Sequence, residues 1–430
     1  MSNVPERRWL VLSYFSNIDG MACAQHIDDR IPILAKAGIA PILLTGVCGD
    51  RREGIVHEQV LSVAPSGLRF EGRHMIRKRR LSHSMTKACG LLLSLPLLPF
   101  YLFEKLLLDL DSQWSWFPLA AARGKSLCLK YGPEIAYSTG GPASAHVAAA
   151  LIARKAGIPW IAEVQDPLVH GDWQRSRAAL AVYRRVERFI CRRADAVVFV
   201  TDVARERADR RTGLGRRGWT IYPGADLGVL PGPQYRKGPL CRFAHFGSLA
   251  GSRNITVFLD ALGRLFREDP ELVGIVRLDL YGTGDRGVHE RIRAFPHPGI
   301  ITDHGRLARK EAQAAMRQSD VLLLIQNTSD FSSETIPSKT YEYLQAGRPI
   351  LGLVHNNPEL DGMLRSKGHL PVDTADAGAV KESVAACLRI WEEGGATPAS
   401  SPYTVESAVG KILEIADILL ARRGGGDAVA

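Results

Sequence analysis

The sequence predicts an α/β chain built from two Rossmann-like domains, and three observations carry that prediction. At 430 residues the chain is long for one hydrophobic core, so two or three domains are expected. Short apolar strands alternate with helical stretches through both halves, the plan of parallel βαβ units. Within that plan, 320–353 reads as strand, loop, helix, turn and strand, with phosphate-seeking chemistry at the helix start.

The bulk composition narrows the function classes. The charge of +10 favours anionic partners such as phosphorylated sugars or anionic lipid surfaces. Nucleic acid is not expected, because the arginine-rich stretches from Arg175 to Arg217 lack interleaved aromatic stacking platforms. Seven scattered cysteines show no paired spacing, which argues against a zinc site or a disulfide framework and fits a reducing cytosol. Arg7 and Arg8 precede only a short strand, so no signal peptide is expected.

In chain order, Trp9–Tyr14 is a first strand, followed by a loop through Gly20, a helix to about Ala37 and a strand over 40–45. Between Arg73 and Lys87 the chain is basic, and the apolar run Leu91–Phe103 follows, broken by Pro96 and Pro99. That run is too short to span a bilayer. Basic residues beside apolar and aromatic ones predict a segment near 73–110 that lies on an anionic membrane surface. Glu134–Ser138, Trp160–Val164 and Ala196–Thr201 are further strands; Asp166, just past the second, is placed to orient a hydroxyl group. His146 reads as a packed or capping side chain. A Pro- and Gly-rich stretch, Pro231–Pro239, is the expected linker, giving domains of 1–236 and 237–404 and a closing helix with its tail over 405–430.

The second half restarts with the strand Arg242–Phe246, then Gly247 and, after further small residues, Arg253, where glycine permits close approach of a diphosphate and arginine supplies charge. Gly282-Thr283-Gly284-Asp285-Arg286-Gly287 has the spacing of a dinucleotide fingerprint, although it follows the second strand of its domain rather than the first. In the 320–353 stretch, the run Asp320–Gln326 is apolar enough for a strand covered on both faces. Ser338 after Pro337 predicts an N-cap, and Gly347 predicts the helix end. Free amides at that helix start, with Lys339, favour an anion. Glu334 and Glu342 flank it, and ionised carboxylates accept hydrogen bonds from hydroxyls. Together these residues predict a ligand with both phosphate and polyol parts.

Glu334, seven intervening residues and Glu342, followed by Tyr343-Leu344-Gln345-Ala346-Gly347-Arg348-Pro349-Ile350, resembles the double-glutamate motif of retaining GT-B glycosyltransferases of the family 4 type. The preceding Pro337-Ser338-Lys339 resembles the branch that builds bacterial surface polysaccharides and lipid-linked glycans. The resemblance implies a GT-B fold, with two Rossmann-like domains facing across a cleft and the last helix crossing back to the first. It implies a metal-independent hexosyltransferase that uses a nucleoside diphosphate sugar and no cofactor, acting on a saccharide or lipid-linked acceptor. The enzyme would be cytoplasmic and peripheral on the membrane. By the same resemblance Glu334 contacts the donor sugar and Glu342 the nucleotide ribose, while Gly20, Gly247, Arg253, Gly282, Gly284, Gly305, Ser338 and Lys339 line the donor, Gly305 near the base. The sequence departs from the family where Gln165 replaces a frequent His, where Met21 replaces a second glycine and where Ser248 replaces an arginine. Two other readings stand beside this one: an NAD(P)-dependent oxidoreductase using Gly282, Gly284 and Gly287, and a non-catalytic membrane scaffold of the same fold.

Overall fold

The computed structural model describes residues 7–18, 21–78, 85, 95–170, 175–226, 235–394 and 400–424. The chain forms two compact units. One contains Met1–Tyr222 with Val405–Ala430, the other Pro223–Thr404. The division at Tyr222 precedes the Pro- and Gly-rich stretch, part of which (231–234) lies outside the described residues.

The first unit holds a seven-stranded sheet. Its strands are β1 (Arg7–Leu12), β2 (Ile39–Thr45), β3 (Val56–Gln59), β4 (Ile135–Gly140), β5 (Trp160–Val164), β6 (Ala196–Phe199) and β7 (Gly218–Thr220), in the order β3-β2-β1-β4-β5-β6-β7. Every pairing is parallel. The central strands β1, β2, β4, β5 and β6 are largely buried on both faces, as their apolar runs require, whereas the edge strands β3 and β7 are not. Trp9, Val11, Tyr137, Ile161 and Val198 look to one face, where the C-terminal helix Val405–Gly424 packs through Val405, Ala408, Val409, Ile412 and Ile415. This helix, which follows the second unit in sequence, therefore belongs to the first unit's core. Leu10, Leu12, Ala136, Trp160, Ala162 and Val197 face the other way, against the alanine-rich helix Ala143–Ala156.

One polar group interrupts the first of these cores. Arg30, from the helix Ala22–Lys36, is fully buried and pairs with Glu163 of β5. Tyr137 Oη and Thr139 Oγ1 also donate to the Glu163 carboxylate, each at 2.5 Å. Burial works against ionising Glu163, but Arg30 and the hydroxyls outweigh it and hold the carboxyl down at about 2.

The second unit holds six parallel strands: β8 (Cys241–Leu249), β9 (Val276–Gly284), β10 (Ile301–Gly305), β11 (Val321–Ile325), β12 (Ile350–Val354) and β13 (Leu370–Asp373). Their order is β10-β9-β8-β11-β12-β13, the Rossmann order. In both sheets the winding direction reverses beside the first strand, between β1 and β4 and between β8 and β11, and ligands bind at the carboxyl ends of such reversals. Among the described residues no helix is long and apolar enough to cross a membrane, and the described cysteines are all free thiols.

Removing one member of a buried ion pair leaves an uncompensated charge, which costs about 3–5 kcal/mol. Arg30→Met is therefore expected to destabilise the first unit by about that amount, and Arg30→Met combined with Glu163→Gln by clearly less, as read from urea unfolding midpoints.

Candidate functional site

At the carboxyl end of β8 the chain comes close to its neighbour. Gly247 and Gly282 are direct partners across β8 and β9, with φ of +136° and +150°. A Cβ on Gly282 would lie 1.9 Å from the Gly247 carbonyl oxygen, so only glycine fits there. Both backbones are bare where the sequence expected a phosphate to approach. Immediately beyond, Thr283 Oγ1 donates to Ser248 Oγ at 3.0 Å. Arg253 follows in a short turn closed by its amide on the Ala250 carbonyl, 3.1 Å. Its guanidinium is largely buried and its Nε makes no hydrogen bond among the described residues. Burial lowers its pKa and so opposes its charge, which makes an anion beside it favourable.

Next to these residues is His245, which the sequence reading passed over. It is buried on β8 with Nδ1 2.9 Å from the Leu323 carbonyl; Nε2 is buried without a hydrogen-bond partner among the described residues. Its pKa falls to about 4, mainly through burial, with a further contribution from Arg253. A carbonyl can only accept, so Nδ1 carries the hydrogen and Nε2 presents a lone pair.

The loop after β11 positions Glu334. Two buried amides clamp it, and neither was singled out from sequence. Gln326 Nε2 donates to the Ser332 and Thr335 carbonyls at 2.7 and 3.1 Å, and Asn357 Nδ2 donates to the same two oxygens at 2.7 and 2.9 Å. Between those carbonyls, Glu334 sits buried on a single 3-10 turn, Ser332–Glu334. Gln326 Oε1 accepts from the His355 amide and Asn357 Oδ1 caps the helix Pro358–Arg365. The clamp thus ties the ends of β11 and β12 to the loop between them.

The helix after Glu334 runs over Lys339–Gln345. Ser338 does not cap it with its hydroxyl, contrary to expectation. Its φ and ψ, −55° and −30°, are already helical, whereas a capping side chain needs an extended residue to fold back onto the first amides. The turn is closed by backbone instead, Thr340 N donating to the Pro337 carbonyl at 2.9 Å. Tyr343 anchors this helix to β8 by accepting from the Phe246 amide at 2.8 Å.

Lys339 and Glu342, expected to take phosphate and ribose separately, lie within reach of each other. Lys339 Nζ donates to Glu342 Oε2 at 2.6 Å, while Arg309 Nε and Gln313 Nε2 donate to Oε1 at 3.2 and 3.3 Å. Burial would raise the Glu342 pKa, but Lys339 and then Arg309 and Gln313 lower it overall. A carboxylate offers about four acceptor positions, so this one stays ionised with room for a further hydroxyl.

Gly284 ends β9, and Gly305, at φ +67°, ends β10 beside a register shift. The dinucleotide reading of Gly282, Gly284 and Gly287 meets two obstacles. Gly282 and Gly284 lie at the end of β9 and Gly287 just beyond it, one strand away from the reversal at β8 and β11. Moreover Asp285 caps the helix Arg286–Ala294, accepting from Val288 N at 2.9 Å, which puts a carboxylate where a pyrophosphate would need free amides.

In the first unit, Gly20 lies outside the described residues. Asp166 follows β5 and is half-buried, with Oδ2 close against Gly141 in the loop after β4. Among the described residues no hydrogen bond or ion pair is made by its carboxylate, and burial raises its pKa. The Cys23 thiol is pushed up to about 12 by burial and by the nearby Asp166 charge. Gln165 donates to Thr139 Oγ1 at 2.9 Å. His146 is buried against Ser138, 2.9 Å, as a packed side chain. No group of three His, Cys, Asp or Glu that could hold a metal ion occurs among the described residues.

Comparison with known proteins agrees with this architecture. Residues 77–224 match the Glycosyl transferase 4-like domain. No curated protein sequence matches the chain. Among solved structures, Anabaena HepE in complex with UDP and glucose is similar over 96% of this chain and 100% of its own, with 15% identity and a TM-score of 0.63. Sucrose-phosphate synthase from Thermosynechococcus elongatus aligns over 98% of both chains at 12% identity and a TM-score of 0.60. A mutant of S. aureus TarM, in complex with Fondaparinux, alpha-GlcNAc-glycerol and UDP, aligns over 95% of this chain and 99% of its own at 9% identity and a TM-score of 0.58.

Two outcomes test this geometry. Gly282→Ala is expected to cost about 2 kcal/mol or more, from a forbidden contact on a strained backbone. Gly263→Ala, in the helix Thr256–Glu268 where the nearest atom to a new Cβ is 3.6 Å away, should be neutral or slightly stabilising; melting temperatures separate the two. His146 and His245 both have pKa values lowered from 6.5 to about 4. Their stabilisation is complete above about pH 6.5 and declines as pH falls towards 4, because the unfolded chain takes up the protons first. Each contributes roughly 2 kcal/mol of loss by about pH 5. Urea titrations at neutral and acid pH should show this loss, reduced in His245→Asn. The chain has the GT-B fold, shared with these structures over nearly its whole length.

Proposed function

We propose that the chain is a retaining hexosyltransferase that moves a sugar from a nucleoside diphosphate sugar to a saccharide or lipid-linked acceptor in surface polysaccharide biosynthesis. It works without metal or cofactor, on the cytoplasmic face of a membrane. The observation that carries this reading is the juxtaposition at the ends of β8 and β9: two opposed glycines with no side chain between them and a partly buried Arg253 short of hydrogen-bond partners. A pyrophosphate suits such a surface, because bare backbone allows close approach and the guanidinium gains a counter-charge. HepE has been crystallised with UDP-glucose, and the donor proposed here is accordingly a UDP-sugar.

In this mechanism Arg253, with help from Lys339, stabilises the negative charge that grows on the diphosphate as the bond from sugar C1 to phosphate oxygen breaks. Glu334, rigidly held by Gln326 and Asn357, accepts hydrogen bonds from the sugar hydroxyls. Glu342, kept ionised by Lys339 and Arg309, accepts one from the ribose. The acceptor oxygen attacks C1 from the side the phosphate leaves. Its proton passes to the departing phosphate oxygen, so no protein base is consumed, and Asp166 orients the attacking hydroxyl.

A thermal-shift series with UDP-, GDP- and dTDP-sugars tests the proposal. A UDP-sugar at about a hundred times its Kd should stabilise by about 2.7 kcal/mol, a shift of a few degrees. Glu334→Ala should retain the response to UDP and lose about 10²-fold or more in transfer. Absence of any response to the nucleotide sugars, with a fluorescence change on NADH, would replace the transferase by an oxidoreductase. Unchanged turnover in Glu334→Ala would remove the role given to that residue.

A further inference from the structure

The helix Leu98–Leu107 of the first unit is built inside out. Its sequence, Leu-Pro-Phe-Tyr-Leu-Phe-Glu-Lys-Leu-Leu, contains no buried residue. The charged and polar positions turn inwards. Glu104 accepts from Ser66 N at 2.9 Å, from Ser66 Oγ at 2.5 Å and from Trp114 Nε1 at 2.5 Å. Lys105 donates to the Leu110 carbonyl, and the Tyr101 ring lies under the Arg69 guanidinium, 4.3 Å away. Phe100, Leu102, Phe103, Leu106 and Leu107 turn outwards and are 57–83% exposed. A soluble surface helix has the opposite arrangement. Outward large apolar residues in one continuous face, without a charge among them, call for an apolar cover.

The surroundings indicate which cover. The adjoining helix, Pro65–Lys78, carries Arg69, stacked over the Tyr101 ring, and Arg73 among its described side chains. Its single acidic residue, Glu71, is fully buried and engaged by Tyr14 and Ser62. Met75 and Arg73 on the same helix are exposed. The acidic residues just past the apolar helix are also taken, Asp109 by the Ser176 amide and Asp111 by Arg175. An apolar stripe flanked by charge of one sign, with its acids withdrawn, complements the hydrocarbon edge and the anionic headgroups of a bilayer.

We propose that Leu98–Leu107 is an interfacial anchor that lies in the plane of an anionic membrane. Phe100, Phe103, Leu106 and Leu107 sink into the acyl boundary, and the helix Pro65–Lys78 rests on the headgroups. The inference deepens the lipid-linked acceptor of the proposed function by naming the surface on which that acceptor is met; of the expected 73–110 segment, residues 79–84 and 86–94 lie outside the described residues. The bilayer is bound reversibly, since a single short amphipathic helix gives marginal affinity that acidic lipid reinforces.

Flotation of the full chain with vesicles of phosphatidylcholine alone, and of phosphatidylcholine with phosphatidylglycerol, tests it. Wild type should float with the anionic vesicles and much less with the neutral ones. Phe103→Asp with Leu106→Asp, both at exposed positions that leave the core untouched, should lower partitioning by about tenfold or more. Arg73→Glu should weaken it less and mainly at low salt. The same samples are checked for the thermal shift with UDP-sugar. A retained shift with lost flotation supports the anchor. Equal recovery of wild type and the double variant overturns it, as does wild-type recovery indifferent to anionic lipid. A lipid-free wild type that elutes as a dimer, while the double variant elutes as a monomer, overturns it in favour of a self-interface. Failure of the nucleotide-sugar response with normal flotation strikes the transferase reading alone.

Discussion

Parallel strand pairing is the constraint from which the rest of each unit follows. Once every strand runs the same way, each connection must cross back over a face, so both faces are covered and the strands can be apolar throughout. All carboxyl ends then emerge on one edge. Where the winding reverses, the loops leaving two adjacent strands diverge and leave backbone accessible. Gly247 and Arg253 lie at and beyond the end of β8 beside that reversal in the second unit, with Gly282 on the neighbouring β9, and Asp166 and Gly141 lie at the carboxyl ends of β5 and β4 in the first. The candidate chemistry thus sits where the topology alone would place it.

Polar groups buried near these edges are of two kinds. The Gln326 and Asn357 clamp and Glu342 with its three donors are compensated and fix geometry, while the Arg30 and Glu163 pair is closed through Arg30 Nη1 and Glu163 Oε2 and leaves Arg30 Nε and Nη2 and Glu163 Oε1 without a hydrogen bond among the described residues. Arg253, Asp166 and the His245 Nε2 atom are buried to a degree that burial shifts their titration, yet they lack matching partners among the described residues. An unmatched buried polar group is expensive unless something else completes it.

Much of this was legible in the sequence because periodicity and glycine carry strong signals. The strands at Trp160 and Val321, the last helix and the α/β class follow from apolar runs and their breaks. Short edge strands such as β3 and β13 did not stand out, since four residues with mixed polarity give no clear period. At Ser338 the residue type suggested a cap that the backbone angles preclude, because local preference yields to the path set by Pro337 and the loop before it. The three-residue spacing of Lys339 and Glu342 on one helix does allow their pairing, but spacing could not show that Arg309 and Gln313 would approach from another helix. Such meetings depend on tertiary packing. Gln326 and Asn357 were silent for the same reason: an isolated amide in sequence looks like solvent-facing polarity until both its ends are seen engaged.

The amide clamp has a consequence for how this loop can change over time. Ser332 and Thr335 each offer one carbonyl to both Gln326 and Asn357, so the clamp measures the distance between those two oxygens rather than reading any side chain between them. Substitutions inside the turn are cheap by comparison with a change of length. One residue gained or lost would slide a carbonyl off two donors together and strand both buried amides. Drift in this chain should therefore respect a ruler of fixed length here, while letters written along it other than Glu334 vary.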